Sequence, residues 1–141
     1  MEVKEKKWVT VEISINAPIA KVWEVWTSPE HIIHWNNASA DWHTPKAEND
    51  LKVGGKFVFK MEDKDGTFGF EFEGVYTEII TNELIAYKMG DGRHAKINFS
   101  SHEDETKIIE TFEAEDINTI DLQRNGWQAI LNNFKKYTEG Q

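Results

Sequence analysis

Near the C-terminus, Trp127, Ile130, Leu131, Phe134 and Tyr137 follow one another at intervals of three, one, three and three, which sets them on one stripe of a helix. Run as a helix from 119 to 138, with Asn118 or Thr119 available as the N-cap, this segment is about 30 Å long. A stripe so long and aromatic needs an apolar surface of matching length to cover it. The rest of the chain must build that surface. Gly126 sits inside the helix at a cost of ~1 kcal/mol relative to Ala, which predicts a close approach or a kink there.

The preceding residues change period. Val9, Val11, Ile13 and Ile15 alternate with Thr10, Glu12 and Ser14, the signature of a strand with one buried face. Pro18 then suits a first helical turn, and Ile19, Val22, Trp23 and Trp26 form a short amphipathic helix. Ser28, Pro29 and Glu30 restart it as a second short helix through Ile32, Ile33 and Trp35. Residues 36 to 53 are polar and irregular around Pro45 and read as a long loop. Past Gly54 and Gly55, Phe57, Phe59 and Met61 alternate with Val58, Lys60 and Glu62 as the next strand, and "EDKDG" turns the chain.

In "GTFGFEFEGVY", residues 66 to 76, Phe68, Phe70, Phe72 and Tyr76 share one face of a strand, with Glu71 and Glu73 on the other. A strand over 67 to 80 spans roughly 45 Å, and Gly74 in its middle predicts a bend or bulge. "ELIAYKM", "RHAKINFS" and "TKIIETFEA" add strands across turns too short for parallel crossovers, so the sheet is an antiparallel meander. The fold class is α+β: a strand, two short helices, five more strands and a long helix, with a curved sheet of about six strands wrapped around that helix. Lys60, Glu71, Glu73 and Lys96 are expected on its convex, solvated side.

A length of 141 residues suits one domain spanning 1–141. The 25 acidic and 16 basic residues give a net charge of -9, which opposes binding to nucleic-acid phosphates. Cysteine is absent, removing disulfides and thiolate chemistry and fitting a reducing compartment. The opening "MEVKEKKWVTVEI" lacks a signal peptide's apolar stretch, and no run reaches the ~20 residues of a membrane span. A cytoplasmic protein is expected.

"APIAKVWEVWTSPEHIIHW", "VGGKFVFKM", "FEGVYTEI" and "NGWQAILNNF", in this order along nearly the whole chain, resemble the START-like (SRPBCC) superfamily. Within it, the chain is most similar to bacterial proteins related to the C-terminal domain of the activator of the heat-shock-protein-90 ATPase. The resemblance implies a helix-grip fold with an apolar cavity between sheet and long helix. It implies no single activity, since members include binding proteins, cyclases and chaperone partners. The chain has no room for the separate N-terminal domain of the eukaryotic activator, an expectation against full co-chaperone activity. Arg124 and Asn125 stand where many relatives carry a histidine, so no role of such a histidine is transferred.

Phe57, Phe59, Phe70, Phe72, Tyr76, Tyr87, Trp127, Ile130, Leu131 and Phe134 are the candidate residues of the concave interior, either packed as core or lining a small-molecule cavity. The first functional expectation is binding of a small apolar or amphipathic ligand there. The second is a protein-interaction module that regulates a chaperone, and the third is a cyclase or dehydratase, ranked last because the pattern offers no acid or base at an inward position. No cofactor or metal motif is found. His31, His34, Asp41 and His43 match no recognised ligand spacing, and Ser100, Ser101 and His102 lack a nucleophile elbow. Asp41 and His43 lie in the loop that would flank a cavity mouth, an acid and a base there, and Arg93 would be the partner for an anionic ligand head, but none of the three is a favoured reading. "GDGR" reads as a hairpin turn, and "NAS" and "NFS" as chance glycosylation matches.

Overall fold

The computed structural model describes residues 6–141, so the first part of the charged opening, read above as no signal peptide, lies outside the described residues. Strands β1 (Trp8–Ile15), β2 (Trp42–Asn49), β3 (Lys56–Asp63), β4 (Gly69–Ile80), β5 (Leu84–Met89), β6 (His94–His102) and β7 (Glu105–Glu113) form one sheet in the order β1-β7-β6-β5-β4-β3-β2. Every neighbouring pair is antiparallel. Helices α1 (Ile19–Thr27) and α2 (Pro29–Trp35) follow β1, and α3 (Ile120–Glu139) closes the chain. The sheet curls strongly into a half-barrel that grips α3, an α+β helix-grip fold. Among the described residues, no helix is long and apolar enough to cross a membrane.

The seventh strand is β2, which lies within the segment expected to be a loop. It is an edge strand, so little of it needs to be apolar, and Pro45 falls where the pairing with β3 shifts register between His43 and Lys46. An edge and an irregularity are the two places where a sheet tolerates a residue without N–H. Polar bonds hold β2 to the helices. The Thr44 hydroxyl donates to the Asn36 carbonyl, and Asn49 Nδ2 donates to the Thr27 carbonyl at 2.7 Å.

Gly74 and Gly126 have other roles than expected. The irregularity in β4 falls between Tyr76 and Glu78, not at Gly74, which pairs with Phe57 in the ladder. A Cβ on Gly74 would lie 2.7 Å from the Phe57 ring and 2.7 Å from the Lys88 carbonyl, so glycine is needed to let that ring cross the strand. In α3 the helix runs unbroken past Gly126, where a Cβ would meet nothing within 4 Å. Thr119 is the N-cap, accepting from the Leu122 N–H at 3.1 Å.

The concave face divides into two regions. Under α1 and α2, the rings of Trp23 and Trp26 meet Phe99, and Trp26 and Trp35 both meet Phe134 of α3, with centroids 4.9 to 5.8 Å apart. With Val9, Val22, Ile108 and Leu131, all buried, they form a closed core. Toward β3, β4 and β5, the rings of Phe57, Phe59, Phe72, Tyr76 and Tyr87 face α3 across a gap. Lys60, Glu71, Glu73 and Lys96 are exposed.

Candidate functional site

The gap is a cavity of ≈ 320 Å³ between the sheet and α3. β3 contributes Phe57, Phe59 and Met61, β4 Phe70, Phe72 and Tyr76, β5 Ile85 and Tyr87, and α3 Trp127 and Ile130. Period two in the strands aims every second side chain inward, and the helical stripe answers them from above. Trp127 spans the two sides: it stacks on Phe112 at 3.9 Å and meets Phe72 edge-on at 6.2 Å. Phe70 is 52 % exposed and stands at the rim beside Trp42, with Phe68, 70 % exposed, further out.

Most of the residues singled out from sequence therefore share this one wall. Leu131 and Phe134 do not: both are fully buried in the closed core and neither touches the cavity. The reason is geometric. A stripe covering two full turns passes over both regions of the concave face, and these two residues fall on the part packed against β1, α1 and α2. Trp26 and Trp35, which sequence spacing assigned only to helix faces, reach the cavity from the core side.

The wall also carries polar groups, and one corrects an expectation. Glu110 of β7 sits inward between Ile108 and Phe112, 6 % exposed, and lines the cavity. The alternation that buries Thr106, Ile108 and Phe112 buries Glu110 with them, so "TKIIETFEA" already contained the signal. It was missed because a glutamate in a strand is usually on the wet face. Burial pushes its carboxyl up to about 8. Glu113 is as buried, at 7 %, but accepts the His94 N–H at 3.0 Å; among the described residues the Glu110 carboxyl has no hydrogen-bond or ion-pair partner.

Tyr87, 6 % exposed, faces the same space. Burial raises its hydroxyl well above the ordinary tyrosine range, Glu110 adds to that, and Arg93 acts the other way. Burial likewise raises Tyr76, opposed by its bond to Asn49 Oδ1. Arg93 reaches the wall, but its guanidinium is held by Asp91 at 2.8 Å and the Glu113 carbonyl at 2.9 Å. Gln123 of α3 donates to the carbonyls of Glu115 and Asn118 at 3.1 and 2.9 Å and so shapes the loop at the mouth.

The polar clusters noted from sequence lie elsewhere. His31 Nδ1 and the Tyr137 hydroxyl are 2.8 Å apart, and His34 stacks on the same ring. His43 pairs with Glu62 at 3.1 Å, away from the cavity wall. Ser100 and His102 share an exposed contact of 3.3 Å at a hairpin.

The family described as "Activator of Hsp90 ATPase homolog 1-like protein" matches residues 16–139, nearly the whole chain. The chain belongs to this family. A solution structure of an AHSA1-like protein from Aeromonas hydrophila is 41 % identical, covers 95 % of this chain and 93 % of its own, and superimposes with a TM-score of 0.90. Chr148 from Cytophaga hutchinsonii is 51 % identical over 93 % of this chain and 91 % of its own, with a TM-score of 0.81. NE0264 from Nitrosomonas europaea, at 17 % identity, 94 % coverage of both chains and a TM-score of 0.80, shares the fold. Among curated proteins, none matches.

Proposed function

We propose that this family member binds a small apolar or amphipathic molecule in the cavity between the sheet and α3. The observation that carries the reading is the division of the concave face: beside a core with interlocked rings, Phe57, Phe59, Phe72, Tyr87, Trp127 and Ile130 line open space. Protein interiors ordinarily fill such space, and apolar surface transferred into it from water contributes about 25 cal/mol per Å². Glu110 supplies the inward acid whose expected absence ranked an enzyme last. Of the wall's other ionisable groups, Arg93 is engaged with Asp91, Glu115 with the Asn118 N–H at 2.7 Å and Tyr76 with Asn49, while burial holds the proton on the Tyr87 phenol. A carboxyl and a phenol that both keep their protons, with no free base beside them, suit holding a molecule better than turning it over.

Native mass spectrometry of the protein recovered from its own cells, before and after denaturation, tests this reading. A mass excess lost on denaturation is the expected result and identifies the ligand class. A bare mass, with no thermal stabilisation by any of a panel of apolar compounds, counts against it.

The family's description favours a second reading, regulation of a chaperone ATPase. Phe68, Phe70, Ile117 and Leu122 are exposed apolar side chains available for such contacts. It requires a change in the ATPase rate of purified Hsp90 on adding this chain, and an unchanged rate removes it.

A further inference from the structure

Two polar side chains in the cavity wall, Glu110 and Tyr87, are each 6 % exposed, and among the described residues neither head group has a hydrogen-bond partner. Buried polar groups are almost always paired, and leaving one unpaired is costly. Here both open into the same apolar space. Their strands are separated only by β6: Ile97 pairs with Glu110 on one side and with Ile85 on the other, while Tyr87 pairs with Ala95, two residues along β6. Both side chains alternate onto the concave face and line the one cavity, and the influence of a charge on Glu110 upon Tyr87 agrees with this.

We infer that Glu110 and Tyr87 together form a donor pair that anchors the ligand through a carbonyl oxygen, so that the cavity selects an apolar molecule carrying a ketone or similar acceptor over its carbonyl-free analogue. The inference rests on the proposed cavity binding and names the chemistry of its ligand. A phenol donates, and a carboxyl in apolar surroundings keeps its proton at neutral pH and donates as well. The burial-driven rise of both groups agrees with this. A cationic ligand fits less well, because a protonated Glu110 offers it no charge and the Arg93 guanidinium lines the same wall. A ligand carboxylate would give up its water in this apolar space beside Glu115, and Arg93, the cation of the wall, is already engaged.

Three fluorescent probes test the inference: 2-propionyl-6-dimethylaminonaphthalene, its 2-propyl analogue without the carbonyl, and a naphthylalkyl ammonium. At about pH 6 the ketone is expected to bind on the order of tenfold more tightly than the propyl compound, the size of one good hydrogen bond. That preference should vanish in Glu110→Leu, persist in part in Glu110→Gln, which keeps a donor, weaken in Tyr87→Phe, and fade above about pH 9 as the carboxyl ionises. The ketone stretching frequency, lowered in the native protein, should return toward its value in hydrocarbon in Glu110→Leu. Circular dichroism checks that each variant folds; were Glu110→Leu unfolded, the Gln variant and the pH profile of the native protein decide. Equal affinity for ketone and propyl probes, or a preference untouched in the variants, overturns the donor pair while leaving cavity binding intact. Tighter binding of the ammonium, strengthening with pH, overturns it in favour of an ion pair. If none of the probes binds, the cavity reading fails and this inference with it.

Discussion

An ionised carboxylate at position 110 gives up its water without gaining a partner. The folded chain therefore keeps a proton there up to about pH 8, whereas an unfolded chain releases it near pH ~4.3. Between those two values the folded state binds more protons than the unfolded one, so stability falls as pH rises through the window and levels off above it. The accumulated loss is on the order of several kcal/mol. Glu110→Gln removes the titration and retains most of the shape. Urea unfolding of both proteins between about pH 5 and pH 9 should show the variant gaining on the native protein up to about pH 8 and holding a constant lead beyond it. Parallel profiles across that range would mean that the carboxyl is solvated after all. On the proposed binding reading, the cost is retained because an unpaired polar group is available to a ligand.

At the scale of elements, the strongly patterned segments are those whose burial is one-sided. β1, β3, β6, β7 and α3 bury one face each, and their periods of two and 3.6 are visible in the chain. β2 is paired on one edge and held to α1 and α2 through Asn36, Thr44 and Asn49, so polar bonds replace the apolar alternation that would have revealed it. The glycines make the same distinction energetically. Gly126→Ala fills open space on α3 and removes a helix penalty, which should raise stability by about 1 kcal/mol. Gly74→Ala drives a methyl into the Phe57 ring and the Lys88 carbonyl and should cost about 1–3 kcal/mol. Thermal unfolding of the two variants should thus give shifts of opposite sign. Shifts of the same sign would undo the account of either position.

For the whole molecule, a sheet curled around one long helix leaves a concave face longer than its side chains fill uniformly. Aromatic spacing identified Phe57, Phe72, Tyr87 and Trp127 as inward, but whether inward rings interlock or stand apart depends on the curl of the sheet and the placement of α1 and α2. Neither is encoded in any local period, which is why Leu131 and Phe134 were grouped with lining residues and Trp26 and Trp35 were not. Neighbours on α3 expose the difference. Ile130 faces the cavity and Leu131 is fully buried in the closed core, so the same enlargement has two outcomes. Leu131→Phe overpacks a filled region and should cost about 1–3 kcal/mol, whereas Ile130→Phe projects into space and should cost less than about 1 kcal/mol while weakening any bound apolar probe. Denaturant unfolding with and without the naphthyl ketone separates the two effects, since a ligand at a hundred times its dissociation constant adds about 2.7 kcal/mol to a protein that still binds it. Equal destabilisation by both substitutions would place Ile130 in packed core and close the cavity on which the binding reading depends.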